Sequence, residues 1–327
     1  MLSMAVGLDV SKAKLDVALY RDGQYQLATF SNDAKGQRRL RNWLKKRRAK
    51  GCAVCLEATG RYGEAVAQFL HEAGYAVSVV NPARIKAYGQ SQLKRNKTDL
   101  EDAKVIAHFC ATQEPALWTP PPPEVQELQA LVSRLRSLTE DRTRELNRQQ
   151  SAIPSQTVRQ DVAEHIAFLD ERIAAVKQSI DDLLDQHPDL RQQRDLLTSI
   201  PGIGDTTAAQ IIASVPDVSR FDSAGQLAAY AGLTPRQHHS GSSVHRRSRL
   251  AKTGNTRFRT ALYMPALAAM RHNPIIRALV ERLQARGKRR MVIVGAVMRK
   301  LVHLAYGVLK NKTPFDPHYV VNMPATV

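Results

Sequence analysis

The chain is poor in cysteine, with three in 327 residues. That is too few for the disulfide framework of a small secreted domain. Cys52 and Cys55 form a CxxC, but it lies inside an apolar, β-branched run. Residues three apart on a strand point to opposite faces, whereas a thioredoxin-type motif opens a helix, so no redox role is expected. Also missing is an apolar run of about 18 residues, the length that reads as a membrane span. The start Met1-Leu-Ser-Met-Ala lacks the basic segment of a signal peptide, so a cytoplasmic protein is expected. Acids are nearly absent from one long stretch. From Gly232 to Lys312, 18 Lys and Arg stand against the single acid Glu281, which is +17 of the formal +18. So one-sided a charge across a whole domain points to a polyanionic partner, nucleic acid above all.

The length allows two or three domains with ordinary cores. Residues 4–10, 14–20 and 25–31 read as three strands. The first is continuously apolar, as a buried central strand is. The second, Lys14-Leu-Asp-Val-Ala-Leu-Tyr20, alternates as an outer strand does. A basic helix from Asp33 to about Lys50, a strand over 52–57, a helix over 62–73 stopped by Gly74 and a strand Ala76–Val80 follow. A helix from Asp99 to about Gln113 closes the region. Three meandering strands and then alternating helix and strand is the order of an RNase H/RuvC-like α/β domain, placed at 1–118.

Thr119-Pro-Pro-Pro-Pro123 reads as a stiff boundary. Two long helices follow, about 124–149 and 157–186, joined at Ala152-Ile-Pro154-Ser. In the second, Val162, Ile166, Leu169, Ile173, Val176, Ile180 and Leu183 keep a heptad spacing. Leu128, Leu131, Leu135 and Leu138 match it in the first. The spacing fits an intramolecular hairpin and a homodimer seam equally, and this coiled-coil insertion is placed at 119–190. A mainly α, basic domain is placed at 191–327. It opens with Ile200-Pro-Gly-Ile-Gly204, which looks like a helix-hairpin-helix. There Gly202 and Gly204 would bring amides to a DNA phosphate at a helix start. A turn His239-Ser240-Gly241-Ser242-Ser243 leads to Arg246, Arg247, Arg249 and Lys252. Helices around 256–272 and 291–310 flank a second cluster, Arg286, Lys288, Arg289 and Arg290.

Four acids carry the chemistry. Asp9 and Glu57 end apolar strands, and Asp99 and Asp102 lie three apart on one helix face. Such carboxylates hold hard divalent cations, and two ions about 3.5–4 Å apart can clamp both oxygens of a phosphodiester displacement. Asp99 also reads as a helix N-cap, and Glu101 as solvated. Lys94, Arg95 and Lys97 are placed to hold a backbone phosphate. Ser240 is the candidate nucleophile, exposed by its glycine and followed by cations suited to developing charge. Ser242 and Ser243 are rivals that spacing leaves open. His238, His239 and His245 fit phosphate contact or general acid–base work better than zinc, because no cysteine or second histidine pair completes a site.

Glu57-Ala-Thr-Gly60, Arg95-Asn-Lys-Thr-Asp-Leu-Glu-Asp102-Ala, Ile200-Pro-Gly-Ile-Gly204, Ala231-Gly-Leu-Thr-Pro235, Ser240-Gly-Ser-Ser243 and Lys252-Thr-Gly-Asn255 occur in this order. Together they resemble the DEDD transposases of the IS110 insertion-sequence family, which includes the Piv-type DNA invertases. The resemblance spans nearly the whole chain. It implies an RNase H/RuvC-like domain, a coiled-coil insertion and a C-terminal transposase domain. It implies Asp9, Glu57, Asp99 and Asp102 as ligands of Mg²⁺, with Mn²⁺ as a substitute, and Ser240 as the residue that forms a transient 5′-phosphoserine link to DNA. It further implies a non-coding bridge RNA pairing with target and donor DNA, and homodimers that assemble into a tetramer, with acids and serine drawn from different subunits. His245 and Arg246 stand where relatives often carry Arg-Gly.

The expectation is therefore an RNA-guided, metal-dependent DNA recombinase of an insertion element, working in the cytoplasm at the nucleoid, with base pairing supplying specificity. A RuvC-type Holliday-junction endonuclease is the alternative, and it leaves the Ser240 turn idle. A non-enzymatic DNA-binding protein leaves the acids idle. An RNase H-fold kinase, suggested faintly by Asp9-Val-Ser11-Lys12, lacks a second glycine-rich phosphate loop.

Overall fold

The computed structural model describes residues 2–58, 60–92, 98–151, 153–240 and 244–318, with backbone alone at Arg61, 237–240 and 244–248. It divides into two compact units, Met1–Pro120 and Pro121–Val327.

In the first unit, β1 (Met4–Val10), β2 (Lys14–Arg21) and β3 (Gln24–Ser31) form an antiparallel meander. Then come α1 (Ala34–Lys46), β4 (Ala53–Glu57), α2 (Arg61–Glu72), β5 (Ala76–Val80), α3 (Pro82–Ser91) and α4 (Asp99–Gln113). The sheet order is β3-β2-β1-β4-β5, with β1, β4 and β5 parallel. This is a mixed α/β sheet with apolar layers on both faces. Val6, Leu8, Val17 and Leu19 pack with Leu40, Leu44, Val66 and Leu70 of α1 and α2 on one face. Ala5, Ala18 and Cys55 pack with Ala103, Ile106, Ala107 and Cys110 of α4 on the other.

That arrangement corrects the reading of β2 as an outer strand. Leu15 to Tyr20 are all buried, and β3 is the edge. The polar alternation of β2 arises because Lys14 and Asp16 share the α4 face with Ala18, beyond the point where that face is apolar. α3 is an element beyond the sequence expectation; Asn81 caps it by accepting from the Ala83 amide at 2.8 Å, and Pro82 opens it. The CxxC is split across the sheet, Cys52 packing with one layer and Cys55 with the other. Burial pushes the Cys52 thiol up to about 12.

The second unit begins with α5 (Pro123–Gln150) and α6 (Gln156–Gln186). Val162, Ile166, Leu169, Val176 and Ile180 are buried, and Leu135 and Leu138 join Leu169 and Val176 in one core. Arg142 pairs with Asp170 across the hairpin. The heptad stripe therefore closes within one chain. Leu184, not Leu183, is its fully buried end.

α7 (Pro188–Thr198), α8 (Asp205–Ser214), α9 (Ala224–Tyr230), the hairpin β6 (Pro235–Ser240) and β7 (Val244–Leu250), α10 (Thr256–Ala261), α11 (Tyr263–His272), α12 (Pro274–Ala285) and α13 (Arg290–Asn311) complete it. Segments 119–190 and 191–327 thus lie largely together, since α5 and α6 share their core with α7 to α13. The helix expected over 256–272 is broken at Leu262, three residues before Pro265, whose ring cannot donate the bond a continuous helix needs. The expectation of no span-length apolar segment also needs amending. α13 is long and apolar enough by composition, but Ile293, Val294, Val297, Leu301, Val302 and Ala305 are buried in the shared core.

Candidate functional site

β1 and β4 run parallel, with Leu8 opposite Leu56, so Asp9 and Glu57 each follow that pair at the same sheet edge. Asp9 lies two and four residues past Gly7 and Ala5, and Glu57 two past Cys55, so strand alternation puts both acids on the α4 face. α4 brings its own acids there. Its cap is Thr98, whose hydroxyl accepts from the Glu101 amide at 3.3 Å; Asp99 is the first helical residue and not the cap. Glu101 is ion-paired with Lys104 and half-buried, so it is not a solvated bystander.

The site gains an acid that the sequence reading passed over. β2 places Asp16 directly opposite Asp9, and oxygens of Asp9, Asp16 and Asp99 lie within 4.8 Å of one another. The signal is present in the sequence: the tight Ser11–Lys14 turn, closed by the Ser11 amide donating to the Lys14 carbonyl at 3.0 Å, sets the Asp9–Asp16 register. Asp16 is almost fully buried. The Thr29 hydroxyl donates to it at 2.6 Å, and the Lys14 ammonium stands 3.0 Å from its other oxygen. The same ammonium is 2.6 Å from Asp99.

Crowding marks the charge state. Burial, then the charges of Asp99, Asp102 and Asp16, push the Asp9 carboxyl above its ordinary 3.8. Asp102 is thus near enough to act on Asp9. Hydrogen bonds to Asp99 and Asp16 push the Lys14 ammonium upward. A half-buried carboxylate repelled by its neighbours suits a hard divalent cation, which relieves the repulsion and binds through oxygen. Asp9, Asp16 and Asp99 fit that role on geometry, with Asp102 and Glu57 on the same face and edge. Lys94, Arg95 and Lys97 lie outside the described residues.

In the second unit, Ser240 is the last residue of β6, paired with Val244 of β7 beside the hairpin tip. Ser242 and Ser243 fall outside the described residues. Arg246 and Arg247 lie on β7, and the register shifts between Arg236 and His238. Two of the sequence motifs meet at the hairpin's base. The Ala251 amide donates to the Thr234 carbonyl at 2.9 Å and the Lys252 amide to the Gly232 carbonyl at 3.2 Å. The Arg259 guanidinium donates to the Ala231 and Lys252 carbonyls at 3.1 and 3.2 Å. Gly254, at φ 147°, comes so close to α9 that a Cβ there would meet the Tyr230 carbonyl at 2.3 Å. Sequence reading missed Arg259, which joins the two motifs.

Arg249, Lys252, Arg286, Lys288, Arg289 and Arg290 are exposed. Gly202 and Gly204 differ from each other. Gly202, at φ 106°, is backed by α11, where a Cβ would stand 2.7 Å from the Ala269 methyl. The buried Asn273 side chain ties this turn down by donating to the Pro201 carbonyl at 3.3 Å. Gly204 is open and begins α8, whose first turn carries Asp205.

Residues 6–156 match a family described as a DEDD-type transposase of IS110 elements, and residues 194–281 match the transposase IS116/IS110/IS902 family. The chain is 34% identical to the pilin gene-inverting protein of Moraxella bovis, over 95% of this chain and 97% of that one. The protein of the same name from Moraxella lacunata is also 34% identical over the same shares. The transposase of insertion element IS1111A from Coxiella burnetii is 26% identical over 68% of this chain and 66% of its own length.

Proposed function

The chain belongs to the IS110 family of DEDD transposases, and on that premise we propose that it cuts and rejoins DNA through the carboxylate cluster and Ser240, under the guidance of a bridge RNA. The observation that carries this reading is the convergence of Asp9, Asp16 and Asp99 at one sheet edge, in a chain whose excess charge suits nucleic acid. The junction-endonuclease reading is not favoured, because the relatives are named for inversion and transposition.

In this mechanism Asp9, Glu57, Asp99 and Asp102, with Asp16, would hold a divalent metal such as Mg²⁺, which would neutralise charge developing on the phosphodiester. α4 and the β1–β2 hairpin orient the carboxylates. The Ser240 hydroxyl attacks phosphorus and gives up its proton to water, forming an O–P bond as the strand's own bond from phosphorus to the 3′ oxygen breaks and that released oxygen takes up a proton from water. Arg246, Arg247, Arg249 and Lys252 stabilise the charge passing through the phosphoryl group. Lys94, Arg95, Lys97, Gly202, Gly204, Arg286, Lys288, Arg289 and Arg290 hold backbone phosphates, while base pairing reads sequence. The protein works as homodimers joined into a tetramer, with donor and target DNA as substrates.

The test is cleavage of labelled element-end DNA by protein copurified with its RNA. Asp102→Asn should bind nucleic acid and fail to cut. Undiminished strand transfer by that variant in Mg²⁺ would remove Asp102 from the site.

A further inference from the structure

Metal binding at this cluster meets a cation that the chain itself supplies. Lys14 and Asp16 are two apart on β2, so both side chains lie on the α4 face. The Lys14 ammonium stands 3.0 Å from Asp16 and 2.6 Å from Asp99. Those two acids, with Asp9, supply the oxygens that lie within 4.8 Å of one another. A divalent ion bound among these oxygens would contact the carboxylates that Lys14 now bridges. Mg²⁺ binds oxygen at about 2.0–2.1 Å. An ammonium hydrogen-bonded to two of the same ligands would then face a doubly charged neighbour at short range.

We infer that Lys14 is an internal counter-ion of the metal site, and that it lowers metal affinity by competing for Asp16 and Asp99. Three features support this. Asp16 is almost wholly buried, so its charge requires a partner at all times. Asp9 and Asp16 face each other directly across the hairpin, an arrangement of like charges that is unfavourable without a cation. Lys14 itself is about half exposed, at 45% of its side chain, so it can swing into water on its four-carbon stem when a metal takes over its partners. The competition keeps the acids together without metal and restrains tight binding of any divalent ion.

The inference rests on the metal reading above but is tested apart from activity. Mn²⁺ binding to the metal-free full chain is titrated by the EPR signal of free ion, for the wild type, Lys14→Met and Lys12→Met. Lys12 is an exposed lysine two residues earlier, and its replacement removes the same charge from the same hairpin. Lys14→Met should bind Mn²⁺ roughly ten- to thirtyfold tighter, as expected for losing one positive charge close to a divalent ion in a largely aqueous dielectric. Lys12→Met should change affinity by less than about threefold, because screened charges farther away act weakly. A thermal scan without metal should show Lys14→Met less stable than the wild type, with the difference closed by saturating Mn²⁺. Equal or weaker Mn²⁺ binding by Lys14→Met would overturn the competition while leaving the metal site intact. The same gain in both variants would reduce it to net charge. Failure of wild type and Lys14→Met alike to bind Mn²⁺ would remove the metal reading as well.

Discussion

Gly7 and Ala107 touch through their backbones: a Cβ built on Gly7 would stand 2.2 Å from the Ala107 nitrogen and 2.3 Å from the Ala103 carbonyl oxygen. α4 lies flat on the centre of β1 because that strand position has no side chain. The same helix delivers Asp99 and Asp102 to Asp9, two residues along β1 from Gly7. Gly7→Ala must therefore push α4 off the sheet. It should cost about 1–3 kcal/mol in urea unfolding, as overpacking does. It should also weaken Mn²⁺ binding although no carboxylate is altered. Unchanged stability would mean that α4 does not rest on this strand as described.

Asp9→Asn should stabilise the metal-free protein while ending strand transfer. Asp9 has a folded pKa raised by burial and by Asp99, Asp102 and Asp16. A raised carboxylate contributes stability below its unfolded value, near 3.8, and loses it as pH climbs through the folded value. At neutral pH the charged form is thus a strain that asparagine relieves. Thermal melts with chelator at pH 7 should show a higher midpoint for Asp9→Asn, with the gain fading toward pH 4. A lower midpoint at pH 7 would show that Asp9 is held by attraction, not repulsion.

Ser240→Ala should bind nucleic acid with unchanged affinity and salt dependence, because a hydroxyl carries no charge. It should form no covalent protein–DNA adduct. Denaturing electrophoresis of labelled DNA, then mass mapping, reads this directly. An adduct mapped to Ser242 or Ser243 would move the nucleophile, and clean cutting by Ser240→Ala would point to hydrolysis.

Gly254→Ala should slow adduct formation through the base of the same hairpin. The added methyl meets the Tyr230 carbonyl at a position where φ is 147°. Binding to DNA should persist with the same slope of affinity against salt, since no cation is removed. An adduct rate equal to the wild type would separate Ser240 from the Gly232–Lys252 contact beneath it.

Leu169→Ala should cost about 2–5 kcal/mol, the usual range for emptying a buried leucine site. Because the heptad stripe closes inside one chain, the loss should not depend on protein concentration. Urea curves at two concentrations, about a hundredfold apart, check this, since only an interface between chains is governed by mass action. A difference between Leu169→Ala and the wild type that changes with concentration would place the seam between chains.

Much of the molecule follows from local rules that need no partner. The strand run of Met4–Val10, the boundary at Thr119 to Pro123 and the two long helices are set by side-chain period and imino rings. The basic excess between Gly232 and Lys312 needs only counting. Strand ends and helix starts likewise mark Asp9, Glu57, Asp99 and Asp102 as candidates, because an acid that closes an apolar run stands out in one dimension. Tertiary structure decided the rest. Asp16 reads in one dimension as a polar residue of an alternating outer strand, and only pairing on both sides of β2 makes it a buried carboxylate opposite Asp9. Lys14 becomes its counter-ion's bridge to Asp99 only when α4 is carried across 85 residues of sequence. The α6 stripe can serve a hairpin or a second chain until α5 covers it. In each case periodicity names the face of an element, whereas the identity of what covers that face depends on contacts distant in sequence, which no local pattern encodes.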